Sequence, residues 1–301
     1  MRAGYATRLS RIAPYVFMAP AVLIMAGALL WPLAHSVWLS FHEWKLGTPQ
    51  DAAVFTGLEN YRILLGDPDT LTSLRVTLVF AFTVVTLEVA LGVGLAILLE
   101  RPIRGMNALR SIFIMPMMIA PIVVGLLWRY MYNEQFGPLA QLLLLFGVEE
   151  SPPWLSSPDW ALASVIIADV WQWTPFIFIL ALAALQSVPT SVVEAARMDG
   201  AQARQTVFYV KLPLILPVVI VAALLRLIDA FKVLEVIFIM TEGGPGLSTE
   251  ILSMRIYKTA FEFQQLGRAS ALSNLLLLLV AAISVGLVLF NKLRERANES
   301  G

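Results

Sequence analysis

The run RLIDAFKVLE places Arg226, Asp229, Lys232 and Glu235 three residues apart within an otherwise apolar stretch. The charges alternate in sign, so neighbours on a helix can pair. At this spacing the row winds slowly around one side of the helix. Arg226 lies nine residues past Pro217, ~13 Å along a helix and close to the middle of a ~30 Å hydrocarbon layer. Residues 218–240 hold fifteen Leu, Ile, Val or Phe, which favour insertion by roughly 4.5–9 kcal/mol. Four central charges would oppose it by at most about 10–14 kcal/mol. Such a helix faces protein or a water-filled path rather than lipid. Two chemistries fit the row. One is a wall of donors and acceptors for a hydroxyl-rich solute. The other is a paired network that fixes helix packing. A mixture is expected, with Arg226 and Glu235 structural while Asp229 and Lys232 approach the path.

A second polar group, Asp169, Trp171, Gln172 and Trp173, sits in another apolar run. Sugars stack on aromatic faces and carboxylates bind their hydroxyls, so these residues fit a second wall of such a path. The two indoles fit packing or interfacial anchoring as well. Glu88, the single carboxylate of a third run, needs a cation on a neighbouring helix or a place on the path.

These residues must be positioned by membrane helices. Of the 301 residues, 58% are hydrophobic and 14% charged, against about 25% charged in a soluble domain. The formal net charge is zero, which gives no basic field for nucleic acid. With no cysteine and only two histidines, His35 and His42, thiol chemistry is excluded and no metal site is expected. Six apolar runs, about 12–41, 76–99, 108–132, 160–185, 212–240 and 269–290, are each long enough to cross a bilayer. The first run is too long for a signal-peptide core and reads as an uncleaved span. Pro116 and Pro121 predict a kink in the third. The fold class is therefore an all-α membrane protein with six transmembrane helices, forming one domain over residues 1–301.

Six spans place both termini on one side. Twelve Lys and Arg fall on the termini-side segments, Arg2, Arg101 and Arg104 among them, against seven on the other side. By the positive-inside bias the termini are cytoplasmic. The loop at 186–217 is then cytoplasmic too, and the loops around 42–75, 129–159 and 241–268 are external. Within the last, TEGGPG carries Gly243, Gly244 and Pro245, the composition of a tight irregular turn. Residues 139–148, LAQLLLLFGV, are too short to span and suit a surface helix.

The cytoplasmic loop reads EAARMDGAQARQTVFYVKLP over residues 194–213. Ser191 and Glu194 have the spacing of a capping box, which predicts a helix beginning near Val192. Gly200 marks a bend, and a second short helix is expected over 201–209. The product is a helix–turn–helix with a small-residue face, a surface suited to docking rather than to catalysis.

This segment resembles the EAA loop of ABC importer permeases, which reads Glu-Ala-Ala, three residues, Gly, nine residues, Ile, one residue, Leu-Pro. Glu194, Ala195, Ala196, Gly200, Leu212 and Pro213 stand at those places, with Val210 where Ile is usual. VWQWTPF, LAALQSVP, KLPLILP, LIDAFKVLEVIFIMTEGGPG and AFEFQQLGRASALS follow in the order of the maltose and glycerol-phosphate importer group. The resemblance runs from about Pro20 to the end. It implies that the loop, with Asp199 beside Gly200, fits a groove on a cytoplasmic ATPase subunit and transmits its motion. It also implies two ATP-binding cassette subunits that hold ATP and Mg, a second homologous permease in a heterodimer, and an extracytoplasmic solute-binding protein. The solute is expected to be a carbohydrate: an oligosaccharide, or a polyol or glycerol phosphate. The site is the bacterial cytoplasmic membrane, among its lipids. TEGGPG then lies at the outer mouth, near the docked binding protein. The chain has no G-x-x-x-x-G-K-[ST] phosphate loop, so no cofactor is expected in it and it is not an enzyme. The competing function is a proton-coupled secondary carrier with Asp169, Asp229 and Glu235 as its relay.

Overall fold

A computed structural model describes residues 3–100, 105–148 and 150–299. Arg2, Arg101 and Arg104, counted above for the charge bias, lie outside the described residues. Contacts divide the chain into two compact units. The first reaches Gly66 and includes Ile256–Leu275. It opens with helix α1 (Ala3–Ser40), of which Phe17–Ser40 is apolar enough to span. A two-stranded ribbon follows, β1 (His42–Glu43) antiparallel to β2 (Val54–Phe55), with His42 opposite Phe55. Helix α2 (Glu59–Gly66) carries the buried Asn60, whose Nδ2 donates to the carbonyls of Ser40 and His42 at 2.9 Å. Gly267 seats against this ribbon so closely that a Cβ there would lie 1.9 Å from the His42 carbonyl oxygen.

The second unit holds Asp67–Arg255 and the chain from Leu276. Helix α3 (Pro68–Leu99) begins eight residues earlier than its apolar core predicts. Asp67 caps it by accepting from the amides of Asp69 and Thr70, and Pro68 occupies the first turn. The third run is broken rather than kinked. Helix α4 (Met106–Ile114) passes into a 3-10 turn at Met115–Met118, and helix α5 (Pro121–Met131) leaves at 99°. Pro116 lies in the first turn of the 3-10 segment, and Pro121 starts a new helix, because a proline at a first turn loses no hydrogen bond and Pro121 holds its preceding residue extended. Ala120, at ψ 136°, is that preceding residue. Helix α6 (Pro138–Leu145) is the short apolar helix expected within 139–148, and none of its residues is buried. Helix α7 (Pro158–Gln186) continues past Pro175 without interruption.

Helices α8 (Thr190–Met198) and α9 (Ala203–Gln205) precede a π-helical segment, Thr206–Lys211, that continues into α10 (Leu212–Ala230). The separate second helix expected at 201–209 is thus the beginning of α10. The expected span at 212–240 also differs: α10 stops at Ala230, and α11 (Glu235–Met240) and α12 (Leu252–Tyr257) are short and separate. Helix α13 (Leu266–Glu299) closes the chain. Among the described residues five helices are long and apolar enough to cross a membrane, six if the α4–α5 pair counts as one span.

The core of this unit is the contact of α3 with α7. Gly92 makes it possible. A Cβ there would stand 2.8 Å from Ile177 Cβ and 2.9 Å from the Phe178 nitrogen, closer than carbon atoms approach. Gly92→Val should therefore force the helices apart and cost about 1–3 kcal/mol or more. Gly94→Ala is the control, because its Cβ would meet nothing within 4 Å. Thermal unfolding in detergent should separate the two variants. Equal melting would show that the close approach is dispensable.

Candidate translocation and coupling sites

Three helices of the second unit each bring one ionisable side chain to a single point. Arg226 of α10 is 2% exposed, and Glu88 of α3 and Asp169 of α7 are fully buried. Arg226 Nε lies 2.9 Å from Glu88 Oε2 and 3.1 Å from Oε1, and Nη2 donates to Asp169 Oδ2. The guanidinium carbon stands 5.1 Å from the centre of the Trp173 ring, within reach of a cation–π attraction. Arg suits this position because its planar fork can serve two carboxylates at once.

The four charges in series do not form one row. Arg226 turns into the protein. Asp229 and Lys232 pair at 3.1 Å with side chains 54% and 60% exposed. Glu235 is exposed at the start of α11, beyond the break, and stands outside the network that was expected to hold it. Its place beside Arg226 is taken by Asp169, which was expected on the path. The reason is the end of α10 at Ala230: a three-residue spacing keeps residues on one face only while the helix continues. Phe231, the next residue, is fully buried and meets Phe82 edge-on at 6.4 Å.

The remaining members of the second polar group part company. Gln172 is fully buried and its Nε2 donates to the carbonyl of Ile119 at 3.1 Å, which pins the α4–α5 break to α7. Trp171 points the other way, edge-on to Trp128 at 5.8 Å. It lines an apolar cleft of about 650 Å³ with Leu91, Phe113, Pro116 and Phe178. Trp171 and Trp173 therefore do not form one stacking wall.

The TEGGPG turn is tightly built. Gly243 and Gly246 have φ of 86° and 61°, where glycine is favoured. Thr249 Oγ1 lies 2.8 Å from the Gly244 carbonyl and 2.7 Å from Thr241 Oγ1, and Gly244–Pro245 is cis. Beyond the turn, Arg255 bonds Glu250 at 3.0 Å and Asp67 at 2.7 Å. The Leu252 amide donates to Thr77 Oγ1 at 2.8 Å. Burial of Asp67 would raise its carboxyl, but hydrogen bonds from Thr70 and Arg255 outweigh burial and hold it below the usual range. This cluster is absent from the sequence reading. Asp67-Pro68 is a helix-start signal, but nothing in the local pattern connects it to Arg255.

In the 186–217 loop, Gly200 has φ 87°. The Gly200 amide bonds the Arg197 carbonyl at 3.0 Å and the Ala201 amide bonds that of Ala196 at 2.9 Å, the paired closure of a Schellman motif. The Ser191–Glu194 capping box does not form. Helix α8 starts at Thr190 after Pro189, which puts Ser191 inside the first turn. The capping box is made instead by Gln202 and Gln205. No residue of α8 is buried. Glu194, Ala195, Asp199, Gly200 and Pro213 are exposed, Ala196 is half-buried, and Leu212 packs on the core of α3, α7 and α10. Met198, 88% exposed, and the exposed Phe208 and Tyr209 add apolar surface to this loop. Sequence reading passed over these three, though large apolar residues in a polar loop are a signal.

A family model described as binding-protein-dependent transport system inner membrane component matches residues 88–297. The chain is 41% identical over 272 residues to the probable ABC transporter permease protein y4oQ of Sinorhizobium fredii, covering 90% of this chain and 87% of that one. It is 35% identical over 275 residues to the trehalose/maltose transport system permease protein MalF of Thermococcus litoralis, covering 90% of each. A crystal structure of a bacterial ABC transporter that imports the acidic polysaccharide alginate has the same fold, with a TM-score of 0.80 at 20% identity over 97% of this chain and 98% of that chain. The chain belongs to the binding-protein-dependent transport system inner membrane component family, and is an ABC transporter permease.

Proposed function

We propose that this permease is one of two related membrane subunits of a bacterial importer for a carbohydrate of the trehalose and maltose kind. Two ATPase subunits, holding ATP and Mg, contact α8 and the Gly200 turn from the cytoplasm. An extracytoplasmic solute-binding protein delivers the solute near the turn at 241–246. The observation that carries the reading is α8 itself. It is a short helix with no fully buried residue, closed by Gly200 and followed, after Ala201 and Gln202, by the continuous helical run Ala203–Ala230 that contains the spanning helix α10. Helix α8 rests on the π-helical segment and leaves most of its residues exposed, a surface that a docked partner would cover. The relative described as a trehalose/maltose permease supports the solute class. Arg226, Glu88 and Asp169 serve as the packing network, while Asp229 and Lys232, exposed and paired, are the groups left to face a solute.

The test is reconstitution into proteoliposomes with the ATPase subunits and the solute-binding protein. Trehalose or maltose should stimulate ATP hydrolysis and enter the vesicles. Uptake that proceeds without the ATPase subunits and collapses with the proton gradient would overturn the reading in favour of a secondary carrier.

A further inference from the structure

We propose that the Glu100–Lys211 ion pair is a transmission strut that carries a displacement of α8 into α3 as well as into α10; this rests on α8 being the ATPase contact. Lys211 Nζ lies 2.7 and 2.8 Å from the two oxygens of Glu100, and the side chains are only 17% and 21% exposed. Each residue stands at the end of an element. Glu100 is the C-terminal cap of α3, and Lys211 is the last residue of the π-helical segment. The same end of α3 is held from its other side, because Arg110 of α4 donates to the Leu99 carbonyl at 2.6 Å.

Helix α8 packs on the π-helical segment. Arg197 of α8 lines, with Thr206, Lys211, Glu100 and Ile97, a cavity of about 260 Å³ beside the pair. A push on α8 therefore reaches Lys211 before it reaches the membrane part of α10. The other links between α10 and α3 at this level are apolar, with Ile215 and Val219 in the cluster of Ala96 and Leu99. Apolar faces slide past one another at little cost, which is how packed helices shear. A shielded pair with both carboxylate oxygens engaged fixes one point and denies that slide. The π-helical geometry adds to the argument, since such segments are short, rare and concentrated at functional places.

The chain has no cysteine, so single labels can be introduced directly. Ser191→Cys on α8 and Thr86→Cys on α3 are both exposed positions. Each would carry a nitroxide in the permease assembled with its ATPase subunits in nanodiscs. Spectra of the nucleotide-free state and the state trapped with Mg-ATP and vanadate are then compared. Both labels should respond in the otherwise unchanged chain. With Glu100→Lys the response at 191 should persist and that at 86 should fall to less than about half, the Arg226–Glu88 pair being the polar tie that remains between α10 and α3. Exchanging the charges, Glu100→Lys with Lys211→Glu, should restore it. If Glu100→Lys does not assemble, Glu100→Gln makes the same comparison. A response at 86 that is undiminished in either single variant, is missing from the unchanged chain, or is not restored by the exchange overturns the strut while leaving the docking of α8 intact. Silence at 191 in the unchanged chain overturns both.

Discussion

Arg226→Leu should lower the stability of the folded permease by about 3–5 kcal/mol, the cost of leaving buried charges without their partner. Two carboxylates, Glu88 and Asp169, share that one guanidinium, and all three side chains are sealed from solvent. Removing the cation leaves two buried carboxyl groups without their shared donor and with no water to replace it. It also unties α3, α7 and α10 at the single point where a side chain from each converges. Thermal unfolding in detergent should show a large drop, and recovery from membranes should fall with it. Melting like the unchanged chain would mean that the cluster is no network at all.

A companion variant separates charge from packing. Glu88→Met, Asp169→Leu and Arg226→Met together remove every charge and keep most of the volume, a change that is often neutral or stabilising for a buried cluster. That chain should melt close to the original. Asp229→Ala is the contrasting case. Its partner Lys232 is half exposed, and pairs of that kind contribute about 0–1 kcal/mol. Lost uptake at unchanged stability would therefore assign Asp229 to the solute path, and normal uptake would remove it.

What the sequence shows and hides follows from the range of the forces involved. Spanning helices are legible because a bilayer demands a long apolar run and every backbone group must be bonded within it. The break after Ala230 is not legible, because residues 231–234 contain neither Gly nor Pro. It is set by tertiary contacts: Phe231 is buried against Phe82, and the Val233 carbonyl accepts from Ser253 Oγ. Prolines at 116 and 121 announce a disturbance but not its size, since a 99° turn needs the 3-10 segment between them and Gln172 holding Ile119. The charged cluster shows the same limit. Glu88, Asp169 and Arg226 each stand out alone as costly in lipid, yet only the packing of three helices shows that they are one another's partners. The bend at Gly200, by contrast, is legible in full, because it depends on one residue's backbone freedom and on bonds within six residues.

Gly200 consequently supports the sharpest test of how the loop works. Its φ of 87° is a conformation that costs an ordinary residue roughly 1–2 kcal/mol and a β-branched residue more. A Cβ at Gly200 would meet nothing within 4 Å, so any penalty comes from the backbone and none from a clash. Gly200→Val should undo the paired closure by Ala201 and Gly200 on Ala196 and Arg197 and re-aim α8. Stability of the membrane part should hardly change, because α8 buries none of its residues. The ATPase subunits should bind about tenfold more weakly, corresponding to ~1.4 kcal/mol, read as co-purification across a concentration series. Gly200→Asn should bind almost normally, since Asn tolerates the left-handed region. If Val and Asn weaken binding alike, the loop excludes side chains at this point and the dihedral angle is irrelevant. If neither weakens it, the closure of α8 does not set the angle at which the motor engages, and the lever must lie elsewhere in the loop.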